Sequence, residues 1–211
     1  QEIGGKALGL AKLVDASAPV PPWVVVSATA FDDYLRQNDL RASIHQGVGS
    51  LEALDLEDPS SLQKIQAVAS EIQDAIRNGV LDPELVREVT TALNDLGEGP
   101  FAVRSSMVGE DSAEHSFAGQ LESFLFQRNT EEVCKSIQGC WASGFGDRAL
   151  AYHLRANLPL DGIRVAVVVQ SMIDGQVSGV LFTANPVNGR RDEALLTAAW
   201  GQGEGIVSGL C

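Results

Sequence analysis

Cations, cysteines, histidines and long apolar runs are all in short supply in this 211-residue chain. Fifteen Lys and Arg face twenty-eight Asp and Glu, which leaves a formal net charge of −13 at neutral pH. That balance excludes a general nucleic-acid surface, which needs a basic patch to displace counterions. It does not exclude a single nucleotide, for which a few local cations suffice. No apolar run reaches the roughly 18 residues a membrane span requires, and no signal-peptide pattern is present. The expectation is a cytoplasmic protein with no membrane partner. Cys134, Cys140 and Cys211 lack CxxC spacing, which fits a reducing compartment and gives no support for a zinc site. His45, His115 and His153 are scattered and read as surface or packing histidines, and no metal site is assigned to this chain. The first residue is Gln rather than Met, so the N-terminus reads as cut or processed.

What is there is ordinary for a globular domain, with 45% hydrophobic and 20% charged residues. The length allows one large domain or two small ones with a real core. No internal repeat, low-complexity tract or interdomain linker interrupts the chain. Residues 1–211 therefore read as one α/β (α+β) unit with mixed sheets flanked by helices.

Local signals place the elements. Residues 3–15 join a Gly-Gly turn to an amphipathic helix whose apolar face includes Leu8, Leu10, Ala11 and Leu13. Lys6 stands at its start, where free N–H groups and the positive end of the dipole favour an anion. A solvent-exposed Lys is the plain alternative, and the GxxxxGK[ST] loop is absent. After Pro21-Pro22, Trp23–Val26 reads as a buried strand, and Ser27 caps a helix through Phe31, Tyr34 and Leu35. Residues 38–60 are expected to be irregular or in short helices. Leu62–Asn78 and Pro83–Leu96 follow as amphipathic helices, the second opened by Asp82-Pro83. Thr130–Ser143 and Phe145–Asn157 read as two further helices, with Trp141 and Phe145 in the core. Ile163–Gln170 is nearly continuous apolar, as for a strand covered on both faces. Asp174-Gly175 predicts a tight turn returning into a strand over Val177–Thr183. Glu193–Trp200 reads as another strand, followed by a final helical turn.

The most informative stretch is FAVRSSMVGEDSAEHSFAGQLESFLF, residues 101–126. Two apolar runs, at Phe101–Val103 and Leu121–Phe126, flank about fifteen residues rich in Ser, Gly, Ala, Glu and Asp, a length that is usually functional or disordered. Ser105, Ser106, Ser116, Ala118 and Gly119 are small enough for backbone to lie against phosphate oxygens. Arg104 brings a permanently charged planar fork suited to phosphate. The alternative is a surface loop in which Arg104 pairs with Glu110 or Asp111. Farther on, Gln170-Ser171-Met172 ends a strand where backbone groups could read an adenine and Met172 could pack on it. An ordinary hairpin is the alternative there.

Three segments together resemble one family in order and spacing: GGKALGL, then AVRSS–ED–SFAGQ–S–F, then VVVQSM–G–SGVLFTANP with WGQGEGIVSG. The chain resembles the N-terminal ATP-binding domain of phosphoenolpyruvate synthase and pyruvate phosphate dikinase, which has the ATP-grasp fold. The resemblance covers essentially the whole chain. It implies that Lys6 and Arg104 hold the ATP phosphates and stabilise charge as a phosphoryl group leaves. It places Gly119 and Ser123 over the nucleotide and Gln170 and Met172 at the adenine hinge, with Glu204 as a further candidate. It implies ATP as donor, and a phosphohistidine domain and an acceptor-binding domain of the parent protein as partners. It implies Mg²⁺ too, with its ligands expected outside this chain. Trp23 departs from the Gly usual after Pro-Pro. The family's second lobe is also missing, so catalysis by these residues alone is not expected. A truncated or degenerate nucleotide-binding or interaction module is the rival reading.

Overall fold

The computed structural model describes residues 2–108, 121–160 and 162–207. In order, the elements are α1 (Gly4–Asp15), β1 (Trp23–Val26), α2 (Ala28–Gln37), α3 (Leu40–Gly49), α4 (Pro59–Asn78), α5 (Pro83–Leu96), β2 (Phe101–Met107), β3 (Ser123–Gln127), α6 (Thr130–Ser143), α7 (Asp147–Arg155), β4 (Val165–Ser171), β5 (Val177–Phe182), β6 (Leu195–Trp200) and α8 (Glu204–Val207). They fall into two compact units, Gln1–Met172 and Ile173–Cys211.

The helix boundaries follow local chemistry. Asp58, Asp82 and Asn129 each accept a backbone N–H through the side chain at the start of α4, α5 and α6. Proline follows the cap in α4 and α5, where its missing N–H costs nothing. Residues 38–60 hold one regular helix, α3, and α7 is shorter than the periodicity predicts, ending at Arg155.

The first unit is built on a four-stranded sheet of order β1-β4-β2-β3, antiparallel throughout. Mixed sheets are the expectation from sequence; both sheets among the described residues are antiparallel, so the architecture is α+β. Strand β2 runs on to Met107 rather than stopping at Arg104, because all seven of its residues pair with β4.

One face of the sheet carries Phe101, Val103 and Met107 of β2 with Val165, Val167 and Val169 of β4, and the main core is built on that face. Helix α6 lies in that core. Trp141 is fully buried, its ring 5.4 Å from Phe31 and 4.8 Å from Tyr34. Gln138 ties α6 to its neighbours, donating to the Gly79 carbonyl at 2.8 Å and to the Tyr34 hydroxyl at 3.0 Å. Burying polar groups in this way is tolerable only because each finds a partner.

The second unit is a hairpin. β5 pairs with β6 from Val177↔Trp200 to Phe182↔Leu195. The Ser178 hydroxyl donates to the Gly201 carbonyl at 2.6 Å, and Gln202 donates to the Ile173 carbonyl at 2.6 Å. The Asp174-Gly175 signal predicts that β5 returns against β4. Among the described residues β5 pairs with β6, and β4 has β1 and β2 at its edges.

Candidate functional site

Helix α1 approaches the sheet through its smallest residues. Gly5 and Ala7 are its buried positions, whereas Leu8 and Leu13 are 43% and 49% exposed. The leucine-lined face expected from sequence is thus not the packing face. Closeness explains the difference: a Cβ on Gly4 would stand 2.2 Å from the Ser106 carbonyl oxygen, and Gly4 has φ +69°. Only glycine fits there. The Ser106 hydroxyl accepts from the Ala7 N–H at 3.3 Å and donates to the Ile3 carbonyl at 2.9 Å. It thus reaches both the donor and the acceptor of the helix's first turn, from a strand. Lys6, half-buried, is thereby held in the first turn of a helix pinned to β2.

Ser106 fixes which face of the sheet α1 covers. Successive side chains of a strand alternate, so Ala102, Arg104 and Ser106 share the face opposite the main core. Cross-strand partners share a face too. Ser123 stands directly opposite Arg104, and Gln170 opposite Ala102. Arg104, Ser123 and Gln170 therefore lie on one face, together with the helix that carries Lys6. Folding brings them to the same side of the sheet from positions spread between 6 and 170 of the chain.

Their surroundings differ. Arg104 is half-buried, and among the described residues its guanidinium forms no hydrogen bond or ion pair. Ser123 is exposed at the head of β3. Gln170 is buried, its carboxamide donating to the Pro21 carbonyl at 3.4 Å. Lys6 and Glu122 are both felt at the Cys140 thiol. Burial raises its pKa most, the Glu122 charge adds to the rise, and the Lys6 charge opposes it.

The end of β4 has an unusual hydrogen-bond pattern. Ser171 donates its N–H to the Pro22 carbonyl and Met172 donates to the Pro100 carbonyl, each at 2.9 Å. In an antiparallel ladder each such pair is normally reciprocal. Proline has no N–H, so neither the Ser171 nor the Met172 carbonyl can receive the return bond. Two carbonyls at one strand end are left without their ladder donors. The Met172 sulfur accepts from the Phe126 N–H at 3.1 Å, which ties this end to β3. The Gln170 backbone lies inside the ladder, between Trp23 and Ala102, so the open backbone groups belong to its two successors.

Of the remaining candidates, Gly119 lies outside the described residues, as do Glu110 and Asp111. Glu204 opens α8 in the second unit. The sequence singles out Ser106 as a small residue and Ser171 at a strand end, but the bonds each makes depend on non-local neighbours that it does not show. The two prolines at Pro22 and Pro100 are the signal that could have exposed Ser171. Among the described residues no cluster of three or more His, Cys, Asp or Glu side chains could cage a metal, and no helix is long and apolar enough to cross a membrane.

Comparison with known proteins concerns the chain as a whole. Residues 1–211 match the family described as pyruvate phosphate dikinase, AMP/ATP-binding domain. The chain is 36% identical over 212 residues to a probable phosphoenolpyruvate synthase of Methanothermobacter thermautotrophicus, covering 98% of this chain and 30% of that protein. It is 35% identical to the phosphoenolpyruvate synthase of Aeropyrum pernix, covering 98% of this chain and 25% of the relative. It is 33% identical to the prodigiosin synthesizing transferase PigC of Serratia marcescens, with 98% and 21% covered. The chain thus spans under a third of the length of these relatives. It belongs to the family of pyruvate phosphate dikinase AMP/ATP-binding domains.

Proposed function

We propose that this chain is the ATP-binding lobe, of ATP-grasp type, of a larger phosphotransferase, and that the sheet face bearing Arg104 is the floor of its nucleotide site. ATP would lie across β2 and β4 with its phosphates between Lys6 and Arg104. The guanidinium offers paired donors to phosphate oxygens, and the Lys6 ammonium a compact charge at the positive end of the helix dipole. Ser123, opposite Arg104, would donate to the same phosphates, and the Gly119 segment would lie over them. The adenine would sit at the end of β4, its exocyclic amine donating to the open Ser171 or Met172 carbonyl and Met172 packing against the ring.

The observation that carries this reading is that Arg104, Ser123 and Gln170 share the sheet face covered by α1, with Lys6 in its first turn. Mg²⁺, when bound, would supply positive charge that offsets the charge of the phosphates. Its ligands are proposed to lie outside this chain, in the parent protein.

In the parent protein the phosphoryl or pyrophosphoryl group would pass from ATP to a histidine on another domain and on to an acceptor. Relatives carrying this domain are named both as phosphoenolpyruvate synthases and as a prodigiosin synthesizing transferase. The acceptor is therefore chosen outside these residues. The test is calorimetric titration of the chain with ATP beside Lys6→Ala and Arg104→Ala. Binding that weakens in both variants supports the assignment; equal binding by all three proteins refutes it.

A further inference from the structure

Among the described residues, strand β1 is an edge of the first unit's sheet, with β4 as its one partner. The bond from Ser171 N–H to the Pro22 carbonyl fixes its alternation, so Val24 and Val26 pair toward β4. Trp23 and Val25 turn their N–H and C=O groups the other way, along the unpaired side. An unpaired row of this kind is a template for another strand.

Beside that edge runs a groove of about 300 Å³ between β1, the start of α2 and the side of α5. Leu85, Val89 and Ala92, on one face of α5, form its far wall, and Val26 and Val169 line it from the sheet. Through Ala30, Leu85 and Glu88 it continues into a second hollow of about 200 Å³. The chemistry changes there from aliphatic to acidic, with Asp33, Asp82, Glu84 and Glu88 around it. Arg36 pairs with Asp33 and Arg87 with Glu84, so two of these four carboxylates are offset and a net negative charge remains.

We propose that β1 and this groove bind an extended peptide that adds as a further antiparallel or parallel strand beside β1. The groove takes β-branched or aliphatic side chains at alternate positions, and a Lys or Arg follows into the acidic hollow. Main-chain bonds to Trp23 and Val25 supply affinity, and the apolar-to-acidic order of the groove supplies the sequence preference. A second copy of the chain is a poorer occupant. It would bring the same acidic hollow and a further net charge of −13. The inference does not rest on nucleotide binding, since Val26 and Val169 lie on the sheet face opposite Arg104.

The experiment is selection of peptides from a random displayed library on the chain, followed by titration of the selected peptides. The selected sequences are expected to alternate aliphatic residues and to end in Lys or Arg. Their binding should weaken about tenfold or more in Glu88→Lys, a change on an exposed helix surface, and more severely in Ala92→Phe, which fills the groove. Hydrogen exchange at the Trp23 and Val25 amides should slow when peptide is bound. Peptide binding should persist in Lys6→Ala, which separates this proposal from the nucleotide site. Failure to select any peptide overturns the proposal, as do selected peptides indifferent to both groove variants. Protection of Trp23 and Val25 without peptide, accompanied by dimer in sedimentation, overturns it in favour of a second copy.

Discussion

Ser106 holds α1 by standing between the Ala7 N–H and the Ile3 carbonyl. This single hydroxyl connects a strand residue to a helix start about a hundred positions earlier in the chain. Removing it in Ser106→Ala takes away both bonds that tie the first turn of α1 to β2. The expected loss is about 1–2 kcal/mol of stability, read from urea unfolding. Nucleotide affinity should fall as well, because Lys6 is positioned by the same turn. Unchanged affinity would mean that α1 is held mainly by other contacts.

Gly4→Ala should be more damaging. The added methyl would lie 2.2 Å from the Ser106 carbonyl oxygen, at a φ of +69° that disfavours any side chain. A loss of about 2 kcal/mol or more is expected, with fast hydrogen exchange confined to α1 if the helix lifts off the sheet. Thermal unfolding identical to the parent would contradict the close approach.

The two cations should be distinguishable by ligand. Lys6→Ala and Arg104→Ala are expected to weaken ATP about tenfold or more each, about 1.4 kcal/mol, while leaving adenosine almost unaffected. Calorimetry with both ligands checks this. An equal loss for adenosine would point to misfolding rather than to lost phosphate contacts.

A change on the opposite face of the sheet should reach the site through β3. A Cβ on Gly139 would meet the Phe124 ring at 2.5 Å, and Phe124 is the strand neighbour of Ser123. Gly139→Ala is expected to displace Phe124 and lower ATP affinity several-fold although it contacts no ligand. Smaller residues at 124, as in Gly139→Ala with Phe124→Leu, should restore part of it.

Alkaline pH should destabilise the fold before acid does in this part of the core. Burial pushes the thiols of Cys134 and Cys140 and the phenol of Tyr34 upward from their ordinary values. A raised acid holds its proton in the folded state after the unfolded chain has released it. Stability from these groups is therefore complete below the unfolded thiol value of about 8.5 and declines as pH climbs past it. Urea midpoints measured from pH 7 to 10 should fall, and less so in Cys140→Ala.

Much of the architecture was legible because it is locally coded. Asp82-Pro83 and Asn129 mark their helices within a few residues, and the apolar run of β4 announces a strand covered on both faces. The failures share a non-local cause. Asp174-Gly175 is a sound turn signal, yet it cannot reveal that β1 and β2 already hold both edges of β4. Leu8 and Leu13 suggested an apolar helix face, yet Gly4, Gly5 and Ala7 make the closer approach. At the site, Arg104 stood out by its chemistry, whereas Ser106 became visible only once its two backbone partners were in place.

In the proposed nucleotide site, the two prolines that face the end of β4 would decide which purine is accepted. A strand end showing bare oxygens to a base attracts the amino edge of adenine and repels the keto edge of guanine. GTP should therefore compete poorly with ATP although both carry the same three phosphates. Neither Pro22 nor Pro100 need touch the base; each would act by what it cannot donate.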